Sequence, residues 1–291
     1  DFGAPPNTQV CPVCLGYPGA MPVMNEAAIR LTVLTGLMLG SQISAYSKFD
    51  RKNYFYPDMP KNYQISQYDK PLCLGGRVEI DVEGRHKAVR ITRIHLEEDV
   101  GKNMHFVSTS GVDFNRAGVP LMEIVTEPDL ASPDEALAFL LALKQILLYA
   151  GVSDCNLEEG NLRCDVNCSL SPEGETRLGT KTEIKNMNSF RAVKNAIEYE
   201  VDRQIRLVLA GEQVVQETRL WDEPRGMTFS MRSKEEAHDY RYFPEPDLVP
   251  FIVSAEEVAD VRKELPELPY AKLSRFVEQY KVSEYDGLIL V

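Results

Sequence analysis

Two polar segments in the middle of the chain carry residue types that phosphate and metal chemistry needs. The sequence predicts strands over 161–170 and 176–187, joined by a turn at 171–174. Successive side chains of a strand point to opposite faces, so one face of this hairpin carries Asn161, Arg163, Asp165 and Asn167 together with Lys181, Glu183 and Lys185. Carboxylates beside fixed cations can bind Mg²⁺ and a phosphoryl group, but a salt-bridged outer surface explains the pattern equally well.

Two further acidic residues are candidate metal ligands. Glu98 belongs to an acidic run, 97–99, that closes a strand-like segment. Such a run is also typical of an ordinary polar strand end. Glu123 is the single carboxylate of the apolar stretch 119–125, and a buried carboxylate needs a partner or a metal. If the two strands are neighbours, we expect Glu98 and Glu123 to bind one divalent ion.

Cys11 and Cys14 form a CxxC pair, which is the local pattern of half a Cys₄ zinc site. The alternative interpretation is two reduced loop thiols. If zinc is bound, we expect its other ligands to precede Asp1 and its role to be structural.

The stretch 238–247 mixes tyrosines, arginine and histidine with two prolines. Aromatic side chains of this kind can stack on a base or ribose, and they can equally form a proline-rich loop packed on a sheet. The sequence contains no GxxxxGK[ST], GxGxxG or GxSxG motif. Phosphate-loop, Rossmann and serine-hydrolase interpretations therefore lack their motifs.

The elements that position these residues can be predicted from periodicity and caps. Helices are expected over 25–40, 132–151 and 189–211, and a short helical segment over 233–237. Strands are expected over 77–82 and 86–96, joined by Glu83-Gly84, and over 213–221. The segment 47–69 shows no steady period and is predicted to be irregular. A change of pattern near residue 253 predicts one domain over 1–253 and the start of a helical domain over 254–291.

Composition limits the class of protein. The 291 residues are 44% hydrophobic and 26% charged, so a sizeable core can form. The net charge of −12 disfavours non-specific binding to nucleic-acid backbones, so any such contact must be local or supplied by another part. Six scattered cysteines and the lack of a long apolar run or a leader favour a reducing, cytoplasmic location without a membrane. Because the chain begins at Asp1, we expect a preceding segment.

Seven long blocks of the sequence resemble a known family. They are CPVCLGYPGAMPVMN (11–25), KFDRKNYFYPDMPKNYQISQYD (48–69), HLEEDVGK (95–102), DFNRAGVPLMEIVTEPDL (113–130), GNLRCDVN (160–167), GTKTEIKNMNSF (179–190) and DYRYFPEPDLVP (239–250). Together they resemble the B subunit of the bacterial aspartyl/glutamyl-tRNA amidotransferase, and the resemblance covers nearly the whole chain.

The resemblance implies an α+β fold, with a cradle-like domain of antiparallel sheet and flanking helices similar to the glutamine synthetase fold. It implies ATP-dependent phosphorylation of the side-chain carboxylate of Glu-tRNA(Gln) or Asp-tRNA(Asn), followed by amidation. Ammonia would come from the partner amidase, the family's A subunit, and the small C subunit would complete the complex. An organelle version is left open. The implied cofactors are ATP and Mg²⁺, with a structural Zn²⁺ at Cys11 and Cys14.

The resemblance also places the family's metal-binding and catalytic carboxylates on Glu98 and Glu123. A further glutamate and histidine ligand are expected before Asp1. We expect Lys52 and the hairpin face (Arg163, Asp165, Lys181, Glu183 and Lys185) to bind the nucleotide and screen the repulsion between carboxylate and triphosphate. Two other functions stay open: a non-catalytic tRNA-binding scaffold, and a free-standing amino-acid ligase that needs no tRNA.

Overall fold

The computed structural model of the chain describes residues 3–175, 177–231 and 240–291. The chain divides into two compact units. The first comprises Asp1–Arg77, Arg90–Glu127 and His238–Val291, and the second comprises Val78–Val89 and Pro128–Ala237. The described residues form helices α1 (Glu26–Met38), α2 (Pro133–Tyr149), α3 (Phe190–Leu209), α4 (Ala255–Arg262), α5 (Pro269–Tyr280) and α6 (Glu284–Leu290). None of these helices is both long and apolar enough to cross a membrane.

Most strands in the described part of the chain are short, and most of their pairings are antiparallel. They are β1 (Gln42–Ile43), β2 (Tyr46–Ser47), β3 (Asp50–Asn53), β4 (Tyr63–Ser66), β5 (Cys73–Leu74), β6 (Arg77–Val82), β7 (Arg85–Glu98), β8 (Lys102–His105), β9 (Ser110–Asp113), β10 (Pro120–Thr126), β11 (Val166–Cys168), β12 (Thr182–Lys185), β13 (Thr218–Asp222), β14 (Met227–Ser230), β15 (Phe243–Pro244) and β16 (Phe251–Ile252). Helices and antiparallel sheets in this arrangement confirm the α+β class.

Side-chain caps fix where the three long helices begin, and the sequence predicted the first two of these caps. The side chain of Asn25 accepts a hydrogen bond from the Ala28 amide at the start of α1. Ser132 and Ser189 cap α2 and α3 in the same way. Each cap satisfies a backbone donor that the helix itself leaves unpaired.

In the first unit, β1, β5, β7 and β10 lie side by side in that order, and a second sheet has the order β15, β3, β4. A cluster of apolar residues packs beside them: Ala28, Phe49, Ile65, Leu96 and Leu248. Leu96 comes from the last third of β7, so burial of this cluster fixes which face of β7 turns toward the apolar core. The alternate residues of β7 consequently point to the opposite face.

In the second unit, β11, β12, β13 and β14 form a sheet in that order. The buried Glu200 of α3 accepts hydrogen bonds from Thr182, Arg203 and Gln204 of the same unit, which anchors the helix to β12. Glu200 has no exposed surface, so these partners replace the water that its carboxylate would otherwise bind.

The hairpin between β6 and β7 turns at Glu83 and Gly84, which the sequence predicted. Both residues have positive φ, +51° and +74°. That combination matches the twist of antiparallel strands and explains the glycine at the second position.

Several predicted boundaries are wrong. The segment 47–69 is not irregular throughout, because β3 and β4 form in it and pair with each other, and β3 also pairs with the distant β15. The strands predicted over 161–170 and 176–187 are much shorter in the structure, where they correspond to β11 and β12. The strand predicted over 213–221 starts only at Thr218. The helix predicted over 233–237 lies outside the described residues. The domain boundary near 253 stays a prediction.

Candidate functional site

The register of β7 and β10 brings three potential metal ligands to one face of the first unit. Glu123 lies directly opposite His95 in this antiparallel pair, so their side chains point to the same face. Glu97, two residues after His95, shares that face. Each of His95, Glu97 and Glu123 offers a ligand atom within 4.8 Å of the other two. Among the described residues, this is the one group of three or more such side chains.

His95 lies at the centre of this cluster. Its Nε2 is 3.7 Å from an Oε of Glu123 and 3.8 Å from an Oε of Glu97. The histidine is only 3% exposed, and its Nδ1 is buried without a hydrogen-bond partner in the described structure. A buried polar atom without a partner is rare and costly, but Nδ1 is not the nitrogen that faces the two carboxylates, so the case for a metal at this cluster rests on Nε2.

Glu97 is buried and held in place from a second sheet. The Ser66 hydroxyl of β4 donates a hydrogen bond of 3.2 Å to its carboxylate. Burial alone would raise the pKa of Glu97, but contact with His95 and the charge of Lys52 outweigh it and hold the pKa below its usual value. Glu97 is therefore ionised at neutral pH and can act as an anionic ligand.

Glu98 does not share this face, so the prediction that Glu98 and Glu123 converge on one ion is wrong in this structure. In the register of β7 and β10, Glu98 pairs with Pro120 and its side chain alternates with that of Glu97. The Glu98 carboxylate instead forms an ion pair with Lys61 and accepts a hydrogen bond of 2.9 Å from the Ile65 amide. The acid that joins Glu123 is its neighbour, Glu97.

Glu123 was also predicted to be buried, and this too is wrong. Its side chain is 47% exposed, and β10, which carries it, lies at the end of the sheet order next to β7. The carboxylate therefore needs no partner to compensate for burial. Its position opposite His95, rather than burial, is what connects Glu123 to a metal.

A group of tyrosines borders the cluster. Tyr242 stacks on Tyr68 with ring centroids 4.3 Å apart, and Tyr240 meets Tyr242 edge to face at 5.9 Å. Burial, followed by the charges of Tyr240, Glu97 and Glu123, raises the pKa of Tyr242 to about 12. Its phenol is thus protonated at neutral pH and can donate a hydrogen bond.

Lys52 reaches this tyrosine group from β3. Its ammonium lies 4.8 Å from the centre of the Tyr240 ring, a cation–π contact, and its charge acts on Glu97. Lys52 is thus the predicted nucleotide-binding residue that the structure places near the cluster.

An ion-pair network fixes the chain segment that carries these tyrosines. Arg51 of β3 binds Glu245 through two hydrogen bonds of 2.7 and 2.9 Å and reaches Asp247 at 3.0 Å. Glu245 is buried, so the bidentate geometry compensates for its lost hydration. This interaction favours the packed-loop interpretation for residues 240–247. His238 and Asp239 lie outside the described residues.

The other predicted nucleotide-binding residues belong to the second unit. The predicted antiparallel pairing is confirmed, with Asn167 opposite Glu183, and Thr182 and Ile184 are buried on the other face. Lys185 binds Asp165 at 2.6 Å and Glu183 at 3.1 Å.

Arg163 and Lys181 are exposed on the same segments. Asp165 and Glu183 already balance the charge of Lys185, as expected if this face is a salt-bridged outer surface. A nucleotide-binding role for these residues stays a prediction.

Cys11 and Cys14 form a compact loop with their Sγ atoms 3.1 Å apart, and the Cys14 amide points at the Cys11 sulfur. That hydrogen bond holds the pKa of Cys11 below its usual value, whereas burial raises the pKa of Cys14 to about 11. The loop packs against Gly118, where a Cβ would lie only 2.6 Å from the Cys14 sulfur. Both thiols can bind one metal ion, and occupancy of the zinc site stays a prediction.

The donor set of the main cluster suits a divalent cation. Two carboxylates and one imidazole can bind ions such as Mg²⁺ or Mn²⁺, and three protein ligands leave further positions for substrate oxygens. His95 and Glu97 were not predicted as ligands from the sequence. The alternation of residues along β7 was the available signal, since Leu96 is apolar and its two neighbours must share the opposite face.

The fold and this cluster together define an α+β domain with a candidate divalent-metal centre. The chain belongs to the family described as the GatB/GatE catalytic domain, whose model matches residues 1–259.

Three curated relatives agree with this assignment, and each is named as the B subunit of aspartyl/glutamyl-tRNA(Asn/Gln) amidotransferase. The protein of Thermodesulfovibrio yellowstonii is 60% identical over 291 residues, and that of Methylacidiphilum infernorum is 57% identical over 302. The protein of an Anaeromyxobacter species is 58% identical over 293 residues. All of this chain is covered in each comparison, but it spans only 61% or 62% of the relatives' lengths.

Proposed function

We propose that this chain is the kinase and amidation domain of a tRNA-dependent amidotransferase. The relatives are named for activity on aspartyl- and glutamyl-tRNA, and the family model matches residues 1–259 of this chain. The observation that carries the proposal is the convergence of His95, Glu97 and Glu123 on one face. A phosphoryl transfer that joins two anions needs a bound cation of this kind.

The proposed reaction has two steps. An oxygen of the substrate's side-chain carboxylate attacks the γ-phosphorus of ATP, the bond to the β-phosphate oxygen breaks, and ADP leaves. Ammonia then attacks the carbonyl carbon of the acyl phosphate, the carbon–oxygen bond to phosphate breaks, and the amide loses a proton. Activation is necessary because a carboxylate has no good leaving group, whereas an acyl phosphate does.

The residues of the site have separate tasks in this proposal. His95, Glu97 and Glu123 would hold Mg²⁺, which supplies charge neutralisation of the phosphate oxygens. Lys52 is placed to lower the repulsion that an approaching triphosphate meets from Glu97. The protonated phenol of Tyr242 borders the same space and can donate to a substrate oxygen. Glu98, bound to Lys61, remains a candidate only through the family resemblance.

Further parts of the proposal rest on the family and on composition. The cradle is proposed to resemble the glutamine synthetase fold. The partners are proposed to be the amidase (the family's A subunit), which supplies ammonia, and the small C subunit. The substrate is the acceptor end of Glu-tRNA(Gln) or Asp-tRNA(Asn). The second metal is a structural Zn²⁺ at Cys11 and Cys14, and the compartment is the cytoplasm.

The competing function is a tRNA-binding scaffold whose chemistry lies in its partners. Glu123→Gln in the assembled complex separates the two, because the change removes one ligand charge without altering the size of the side chain. The kinase proposal expects tRNA-dependent ADP release to fall at least about 100-fold, a loss typical of removing a transition-state charge contact, while tRNA affinity stays within about twofold.

The matched control is Glu127→Gln, just beyond the same strand, where the carboxylate accepts a hydrogen bond from Thr92 instead. This control should retain ADP release. Unchanged ADP release in Glu123→Gln would favour the scaffold. ADP release with free glutamate alone would favour the ligase that needs no tRNA.

A further inference from the structure

Arg93 extends the metal-ligand face of β7 by one position. It precedes His95 by two residues in an unbroken register, in which it pairs with Val125 of β10 and Leu74 of β5. Its side chain therefore lies on the same face as those of His95 and Glu97. Two residues along a strand correspond to about 6.7 Å.

The guanidinium of Arg93 has a hydrogen-bonding group that the described structure leaves unused. Its Nε is buried and has no hydrogen-bond partner. Leaving a charged donor buried and unpaired is costly, so a partner for it is expected in the working protein.

The nearby acids are not that partner in the described structure. Glu123 and Glu97 turn toward the Nε2 of His95, and Glu97 also accepts the hydrogen bond from Ser66. Tyr242 lies within range of both the Arg93 charge and the two carboxylates. Arg93 thus places a positive charge and an unused donor, its Nε, next to the space in front of Glu97 and Glu123, where a metal ion could bind.

The geometry points to Arg93 as the residue that binds the terminal phosphoryl group of the nucleotide, beside the metal held by His95, Glu97 and Glu123. This inference rests on the proposed function. A terminal phosphoryl group has three non-bridging oxygens, so it can give one to the metal and two to the guanidinium fork.

A carboxylate is the less suitable ligand for this position. It has only two oxygens, one of which must attack phosphorus, and hydrogen bonds from a bidentate arginine to both would lower their nucleophilicity. We therefore assign Arg93 to the phosphoryl group of the nucleotide rather than to the side-chain carboxylate of the aminoacyl group.

The test compares nucleotide affinities by calorimetry in the assembled complex with Mg²⁺. The probes are ADP and the non-hydrolysable analogue adenosine imidotriphosphate. In Arg93→Gln, affinity for the triphosphate analogue should fall about tenfold or more, the equivalent of one charge-assisted hydrogen bond or more, while ADP affinity stays within about twofold. Arg93→Lys, which keeps the charge but loses the fork, should give an intermediate loss.

The matched control is Arg90→Gln, at an exposed arginine three residues earlier in the same strand. It should leave both affinities unchanged. Equal losses for both nucleotides in Arg93→Gln, or no loss for either, would overturn the assignment while leaving the proposed function intact. A wild-type complex that binds neither nucleotide would instead refute the proposed function, and the assignment of Arg93 with it.

Discussion

His95 and Glu123 face each other across neighbouring strands, with Nε2 and Oε2 3.7 Å apart. This spacing is close to the distance between two ligand atoms of one metal ion, since each would lie about 2.1 Å from the metal. The pair therefore joins β7 and β10 through a position where a cation would relieve the repulsion between Glu97 and Glu123.

The first prediction concerns binding of Mn²⁺, which can be followed by electron paramagnetic resonance. His95→Asn and Glu123→Gln should each weaken Mn²⁺ binding by at least about tenfold. Mutating a residue that only hydrogen-bonds to a metal ligand already lowers metal affinity about 10–100-fold, and a direct ligand should matter at least as much. Glu127→Gln should leave the affinity unchanged. Wild-type Mn²⁺ affinity in both ligand variants would show that the ion does not bind at this face.

The second prediction separates the two adjacent acids of β7. Glu97→Gln should weaken Mn²⁺ binding to the same degree as Glu123→Gln, because both side chains lie on the face of His95. Glu98→Gln should leave Mn²⁺ affinity within about twofold, since its carboxylate binds Lys61 on the other face. The reverse order of effects would show that the strand register differs in the working protein.

The third prediction concerns the cysteines. Iodoacetamide should alkylate the exposed Cys11 long before the fully buried Cys73, as followed by mass spectrometry of the native protein. Added Zn²⁺ should slow the alkylation of Cys11 if both thiols of the loop bind the ion. Cys14→Ser is the control, and protection that persists in this variant would exclude a site shared by the two sulfurs.

The fourth prediction concerns Glu200 and the stability of the second unit. Glu200→Gln should lower the free energy of unfolding by about 1–3 kcal/mol at pH 7, because it removes the buried carboxylate that Arg203 and Arg219 share and leaves them only Glu217 as an acidic partner among the described residues. Urea unfolding measures this difference. The exposed Glu212→Gln is the control and should change stability by less than about 0.5 kcal/mol.

The difference in the free energy of unfolding between the wild type and Glu200→Gln should depend on pH with a definite sign. Burial raises the pKa of Glu200, but hydrogen bonds from Arg203, Gln204 and Thr182 outweigh it, so the folded-state pKa lies below 4.5. The stabilisation is therefore fully present above about pH 4.5 and is lost as the pH falls through the folded-state pKa. The wild type and Glu200→Gln should converge in acid. A difference that grows in acid would contradict the ionised network.

The fifth prediction concerns tRNA. With a net charge of −12, the isolated chain should bind tRNA with a dissociation constant on the order of 10⁻⁶ M or weaker at physiological salt. Filter binding over a range of salt concentrations would measure it. Nanomolar affinity for the chain alone would show a strong local binding surface that the overall charge conceals.

Local signals predicted much of this fold. Asn25, Ser132 and Ser189 act as caps wherever the sequence placed a long helix, and the Glu83-Gly84 turn joins the predicted hairpin. These features depend on a few neighbouring residues, so they can be read without knowing the rest of the fold.

The parts that were predicted wrongly depend on contacts between distant segments. β3 and β4 are too short to show a period, and β3 pairs with β15 almost 200 residues later. Glu97 and Glu98 are chemically identical neighbours, so only the packing of Leu96 against the core decides which of them meets Glu123. The resemblance to a family could place acids in the site but could not assign them to faces.

The ion pair between Arg51 and Glu245 joins residues 194 positions apart. During synthesis, β3 is made long before β15, the strand that covers its second edge, so a nascent chain that still lacks β15 exposes unpaired backbone there. Such an edge invites pairing with other chains. Completion of the tyrosine group and protection of the growing polypeptide against aggregation therefore depend on the same late segment.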